Sequence, residues 1–370
     1  MSHAPVAAPP VARDPAAPYT GVPLRRVCVV MMSAVGDAVH VLPVLVALKR
    51  LAPDAHVTWV LQPGPAALVR GHPCVDDVVL FERAKGLAAY GDVRRALAAR
   101  ARALGGPFDV SLNLQVYFKA GLVSALAPAR VKLGFDRARA RDLNWLFTNA
   151  KVPPHPVQHV QDQYFEFLSA LGVPHEPVAW RLGPYADERA WQREFFAPFG
   201  RPAAAIVVAT SKPEKDWAPE RWARVCDALQ TEYGLQPVLV GGRSPRELAA
   251  EAVIRREARL PVVSALGSGL RRLVAILDGS ALVLTPDTGP LHVSVALGRP
   301  TVSLIAYSNP KRVGPYRRFH DLVIDAYGDP GEDYPPSMES RPGRMGRITV
   351  EQVLAKVERW RTHYAAGVEP

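Results

Sequence analysis

Two acid-bearing loops stand where apolar runs end. Ser33-Ala-Val-Gly-Asp37 follows the run Arg26–Met32 and opens Ala38–Leu51, whose spacing predicts a helix. Thr-Pro-Asp287-Thr288-Gly289-Pro290-Leu-His292 follows Ala281–Leu284 and opens a second helix, with Pro290 in its first turn. A glycine at such a junction permits a tight turn, and the free amides of the helix start face whatever lies beyond the strand. Asp37 is therefore a candidate reactive carboxylate, although an acid there also serves as a helix cap, and the two roles are compatible. Amides of Thr288 and Gly289 are placed to meet a phosphate, while His292 on the same turn reads as ligand-facing or structural.

A third loop, Thr210-Ser-Lys-Pro-Glu-Lys215-Asp-Trp217, gathers two hydroxyls and an ammonium after Ala204–Ala209. Thr210, Ser211 and Lys215 suit a diphosphate clamp or a solvated polar loop. Gly241-Gly242 lets backbone approach a planar ring or ribose, and Ser244 with Glu247 has capping-box spacing. Asp-x-Asp, Gly-x-x-x-x-Gly-Lys-Ser/Thr and a Gly-x-Gly-x-x-Gly after the first run are all lacking. No metal site or cofactor is expected.

These loops need rigid supports. Arg26–Met32, Val57–Leu61, Val78–Phe81 and Val110–Leu114 predict buried strands, with helices over Ala38–Leu51, Pro65–Arg70, Gly91–Leu104 and His159–Leu171. Helix Glu188–Phe196 restarts the theme. Strands Ala204–Ala209, Pro237–Val240, Val262–Ser264, Ala281–Leu284 and Thr301–Ile305 follow, with helices Pro219–Tyr233 and Ser244–Ala258 between them. The alternation predicts two doubly wound α/β domains of 23–184 and 185–348, a poorly specified loop at Asp329–Arg347, and a closing helix Thr349–Ala366 within 349–370. Such sheets bind ligands at their carboxyl ends, so a cleft between two of them suits a reaction joining two substrates.

With 370 residues and a net charge of +10, the chain is sized for two domains and favours anionic partners. No helix-turn-helix or zinc-finger spacing appears, so nucleic acid is not the expected partner. Cys28, Cys74 and Cys226 form no metal or redox motif, which fits a reducing compartment. Residues 1–22, rich in Ala and Pro, read as a flexible tail, and no apolar run reaches membrane-spanning length. A cytoplasmic protein, with at most peripheral contact with the inner membrane, is expected.

Ser33–Pro43 fits Ser-x-x-Gly-Asp-x-x-x-x-Leu-Pro. Asp287–His292 with Ala296-Leu-Gly-Arg-Pro300 fits Asp-Thr-Gly-x-x-His followed by Ala-Leu-Gly-x-Pro, and Pro310–Tyr316 fits Pro-x-x-x-Gly-Pro-Tyr. Together with Thr210–Trp217, these segments resemble the heptosyltransferases of glycosyltransferase family 9, over roughly residues 25–362. The resemblance implies two Rossmann-like domains facing a central cleft (GT-B type) and inverting, metal-independent transfer from ADP-heptose to a lipid A–core oligosaccharide. It makes 23–184 the acceptor domain and 185–348 the donor domain. It implies Asp37 as general base, Thr210, Ser211 and Lys215 on the diphosphate, and Asp287, Thr288, Gly289 and His292 at the donor, with Gly241 and Glu247 near its nucleoside. Asn113-Leu-Gln115-Val116 departs from the family's Asp-x-Gln-Gly, which bears on the acceptor. Lys119, Arg137, Arg139 and Arg141 either attract a phosphorylated lipid acceptor or are solvated charges. Another nucleotide sugar, a nucleotide-sugar epimerase of the same fold, and a nucleotide- or nucleic-acid-binding module remain the competing readings.

Overall fold

A computed structural model describes residues 14–366. The first sheet comprises β1 (Arg26–Val30), β2 (His56–Leu61), β3 (Asp77–Leu80), β4 (Phe108–Asn113), β5 (Ala129–Gly134) and β6 (Ala150–Lys151). The second comprises β7 (Ala203–Val207), β8 (Gln236–Val240), β9 (Val263–Ser264), β10 (Leu282–Pro286), β11 (Thr301–Ile305) and β12 (Val323–Asp325). Their spatial orders are β3-β2-β1-β4-β5-β6 and β12-β11-β10-β7-β8-β9, with parallel pairing throughout. Numbered from its own first strand, each sheet has the order 3-2-1-4-5-6 of dinucleotide-binding α/β domains.

The apolar runs form strands because both faces are covered. In β1, Val27 and Val29 enter one core while Cys28 and Val30 enter another on the opposite face. β7 divides likewise, with Ala203, Ala205 and Val207 on one side and Ala204 and Ile206 on the other. The largest core runs through both halves, uniting helices Val35–Leu51 and Val160–Ala170 with Leu270–Gly279 and Gly289–Ala296. Most of Val35–Leu51 is buried, since sheet and partner half cover opposite sides of it.

At the junction of the halves, Arg271 binds Glu188 through Nε and Nη2, both at 2.7 Å. Its Nη1 donates to the carbonyls of Leu68 (2.9 Å) and Leu182 (3.0 Å). The closing helix, Val350–His363, packs on the second sheet, where Trp360 Nε1 donates to Ala281 O at 3.1 Å.

Two expectations need correction. Within 1–22, residues 1–13 lie outside the described residues, but the remainder docks on the first half. Tyr19 N donates to Ala170 O at 2.9 Å, and its hydroxyl receives Lys151 N at 2.9 Å. The Asp329–Arg347 loop has a defined course because Arg341 pairs with Glu332 through two 2.7 Å contacts and Arg344 binds Asp329 at 3.0 Å. That course carries Ser337 and Met338 to the cleft.

Candidate active site

The loops after β1 and β4, and those after β7 and β10, stand at the two points where strand order reverses, and both points open on one gap. Helices Val35–Leu51 and Gly289–Ala296 meet there start to start. A Cβ on Gly36 would lie 2.6 Å from His292 Cδ2, and one on Gly289 would lie 3.0 Å from Val35 Cγ1. Glycine at both positions is what lets the two positive helix ends approach.

Asp37 occupies the third position of its helix, with Ala34 as the N-cap. Oδ2 accepts from Ala34 N at 2.9 Å, and Oδ1 accepts from the Tyr164 hydroxyl at 3.3 Å. Gln115 braces the loop behind, its Oε1 accepting from Met32 N at 3.0 Å and its Nε2 donating to Ser33 O at 2.7 Å. Burial pushes the Asp37 carboxyl above the ordinary carboxylate range, against the pull of the Ala34 amide, Arg312 and Tyr164. A raised pKa makes the carboxylate a stronger base toward an attacking hydroxyl.

Across the gap, Asp287 is buried and receives Lys215 Nζ at 2.5 Å. Burial alone would raise its pKa, but the Lys215 ammonium prevails and holds the carboxyl below its usual value. Thr288 is the N-cap of the following helix, so its amide and that of Gly289 lead the positive end.

His292 belongs to a chain of polar groups. Gln161 Nε2 donates to His40 O at 2.9 Å, which turns Gln161 Oε1 toward His40 Nδ1 at 3.1 Å. His40 therefore carries its proton on Nδ1, and its bare Nε2 accepts from His292 Nδ1 at 3.1 Å. His292 Nε2 is left as an acceptor. Burial pushes the His292 imidazole down to about 4 and His40 well below its ordinary value, so both are neutral at pH 7.

Two cavities meet at Asp37. One, of about 440 Å³, extends over the first half and is lined by Gln115, Phe135, Gln163 and Tyr164. The other, of about 430 Å³, reaches the second half and is lined by Ser211, Lys215, Asp287, Thr288, Gly289 and His292. Arg312, Arg141, Ser337 and Met338 border both.

Several expected residues are engaged otherwise than the sequence suggests or lie outside the two cavities. Thr210 is buried beside the cavity, its hydroxyl donating to Lys212 O at 2.6 Å, so it shapes the loop that presents Ser211, Lys212 and Lys215. Gly241 and Glu247 are absent from the cavity lining. Glu247 accepts Gly242 N at 2.6 Å and Ser244 N at 2.8 Å, which is its capping-box role. Arg139 lines the cavity over the first half but is not a free surface cation. Its side chain is only 8% exposed and is neutralised by Asp136 (2.5 Å) and by Glu166. Arg137 lies over the Trp145 ring at 4.9 Å, and Lys119 lines a separate depression with Arg83 and Phe118.

His40, Gln161, Tyr164 and Arg312 were not singled out from sequence. Gln161 and Tyr164 share one face of Val160–Ala170, and two polar groups on an otherwise apolar helical face were the available signal. Tyr164→Phe should move the acid limb of kcat/KM to higher pH, because the hydroxyl favours ionised Asp37 and activity falls as pH drops through that pKa. A pH–rate profile with an unmoved limb would detach Tyr164 from the base.

Two parallel α/β domains turning their strand-order reversals to one cleft, with a carboxylate facing a helix start, define the GT-B architecture. Solved structures have this fold: a family 9 glycosyl transferase from Veillonella parvula (TM-score 0.76, 23% identity, 91% of this chain and 97% of that one) and an Escherichia coli heptosyltransferase with ADP (TM-score 0.67, 24% identity, 90% and 99%). The profile of glycosyltransferase family 9 (heptosyltransferase) matches residues 97–330, and the chain belongs to that family. It is 27% identical over 345 residues to the lipopolysaccharide core heptosyltransferase OpsX of Haemophilus influenzae, covering 90% of this chain and 96% of that protein.

Proposed function

We propose that this glycosyltransferase moves heptose from ADP-heptose to the inner core of lipopolysaccharide, inverting the anomeric centre without a metal. The observation that carries the reading is the position of Asp37, at the seam of two cavities, facing the helix end at Thr288 and Gly289. Relatives named as lipopolysaccharide heptosyltransferases support the substrates.

In this reading the acceptor lies in the cavity over the first half, with its attacking hydroxyl on Asp37. The donor diphosphate lies against Lys215 and the helix amides. The hydroxyl oxygen bonds to the anomeric carbon from the face opposite the leaving group, which inverts the centre, and its proton passes to Asp37. The bond from anomeric carbon to diphosphate oxygen breaks, its electron pair leaving on ADP. Negative charge grows on that oxygen, where preorganised donors act most strongly. His292 Nε2 can accept from a sugar hydroxyl and so orient the ring.

The test offers purified enzyme ADP-heptose or other nucleotide sugars, with and without deacylated core acceptor, and weighs the products by mass spectrometry. Heptose added to acceptor, unaffected by chelator, is expected. Transfer of another sugar refutes the donor, and donor conversion without acceptor indicates an epimerase.

We place the enzyme in the cytoplasm, in peripheral contact with the inner membrane through its first half. No helix among the described residues is long and apolar enough to cross a membrane. Exposed Leu87, Phe118, Leu143 and Leu146 occur in that half together with Arg83 and Lys119, a mixture suited to an anionic bilayer. Leu143→Ser with Leu146→Ser should lower co-sedimentation with vesicles containing phosphatidylglycerol while sparing turnover of deacylated acceptor. Equal sedimentation would remove this surface from membrane contact.

A further inference from the structure

Arg312 is a cation at the cleft that combines an unpaired charge with an enclosed, partnerless nitrogen. It borders both cavities, yet among the described residues no carboxylate lies within ion-pair distance of its guanidinium. Its Nε is shut off from solvent with no hydrogen-bond partner. An enclosed donor without a partner is unfavourable, so such a group points to an occupant that supplies the acceptor.

Of the neighbouring cations, Lys215 is paired, while Lys212 and Arg141 are exposed to water. Lys215 is held by Asp287 at 2.5 Å, Lys212 lies 5.2 Å from the centroid of the Tyr307 ring, and exposed Arg141 donates to Met338 Sδ at 3.6 Å. Because Lys215 and Asp287 cancel, that pair adds little net charge against a departing diphosphate.

Both halves fix the segment bearing Arg312. Asn309 caps helix Pro310–Val313, its Oδ1 accepting from Lys311 N at 3.0 Å and its Nδ2 donating to Pro335 O at 2.8 Å. Just beyond, Gly314 O receives His159 Nε2 at 3.0 Å, and the Tyr316 hydroxyl donates to Asp162 at 2.5 Å. A short helix of the second half is thus clamped by two side chains of the first, which sets Arg312 where the halves meet at Asp37.

We infer that Arg312 is a catalytic residue, its guanidinium binding the terminal phosphate of the nucleoside diphosphate as the bond to the sugar breaks. This rests on the nucleotide-sugar reading above but not on the identity of sugar or base. The same charge lies close enough to Asp37 to favour its ionised form, so one residue aids both the departing phosphate and the incoming base.

The test is calorimetric binding of ADP and of AMP to wild type, Arg312→Gln and Arg312→Lys, with kcat and both KM values. Arg312→Gln should weaken ADP about 10- to 100-fold, the range of a hydrogen bond to a charged group, and leave AMP unchanged. kcat should fall, its acid limb should move to higher pH, and Arg312→Lys should recover part of each. Unchanged ADP binding with a raised acceptor KM would overturn the inference in favour of an acceptor contact. Equal weakening of ADP and AMP would overturn it in favour of a structural role. The same pair run with UDP and UMP keeps the questions apart. Selectivity lost there, with no wild-type affinity for ADP, would refute the donor while upholding Arg312. Wild type that binds no nucleoside diphosphate would sink both.

Discussion

Asp37→Asn should lower turnover by about 10²–10⁴-fold, the usual contribution of a positioned general base, with ADP affinity essentially intact. Asparagine keeps an oxygen for the Ala34 amide, so the turn and the start of Val35–Leu51 survive the change. What it cannot do is accept the acceptor's proton. Tyr164 loses a charged partner and keeps a neutral one. Asp37→Ala is the poorer test, because losing the brace at the helix start would confound chemistry with local unfolding. Steady-state turnover beside calorimetric ADP binding decides the matter. A near-wild-type rate would show that the proton leaves by another route, and a collapse of ADP binding would show that Asp37 shapes the donor site instead.

The fold was legible where the chain is apolar on both faces. Arg26–Met32 and Ala281–Leu284 admit hardly anything but buried strands, and the loops after them fall where strand order reverses, so the cleft itself could be anticipated. The unread elements had weaker patterns. β5 carries exposed Arg130 and half-buried Lys132, which break its apolar run, while β6 and β12 have two and three residues and cannot show a period. Side-chain pairing across long separations was less accessible still. Arg139 looked like surface charge, since nothing in spacing says that Glu166, 27 residues away, neutralises it. Glu247 shows the converse, because its capping partners are local and the box is visible in the sequence. Arg312 lies inside a recognisable stretch, Pro310–Tyr316, but only the folded chain reveals that its guanidinium has no partner.

Lys215→Met should destabilise the fold strongly. It strands the Asp287 carboxylate, whose side chain is 8% exposed, with no cation to offset burial, and breaking a buried pair in this way costs about 3–5 kcal/mol. The pH dependence has a definite sign. In wild type the depressed pKa of Asp287 adds stability above the unfolded value, which is lost as pH falls through the folded one. Without Lys215, burial outweighs what the Ser308 hydrogen bond offsets and the folded pKa rises, so the penalty is greatest near neutrality and shrinks as acid protonates the group. Lys215→Met with Asp287→Asn removes both charges and should recover most of the stability, as replacement of a whole buried pair often does. Turnover should not return, because the loop then offers the diphosphate neither the ammonium nor the acid that aims it. Urea unfolding of the three proteins at neutral and mildly acid pH, beside their transfer rates, separates these contributions. A double variant no more stable than Lys215→Met would mean that the ammonium is needed for packing, and a double variant that regains turnover would remove the pair from the chemistry.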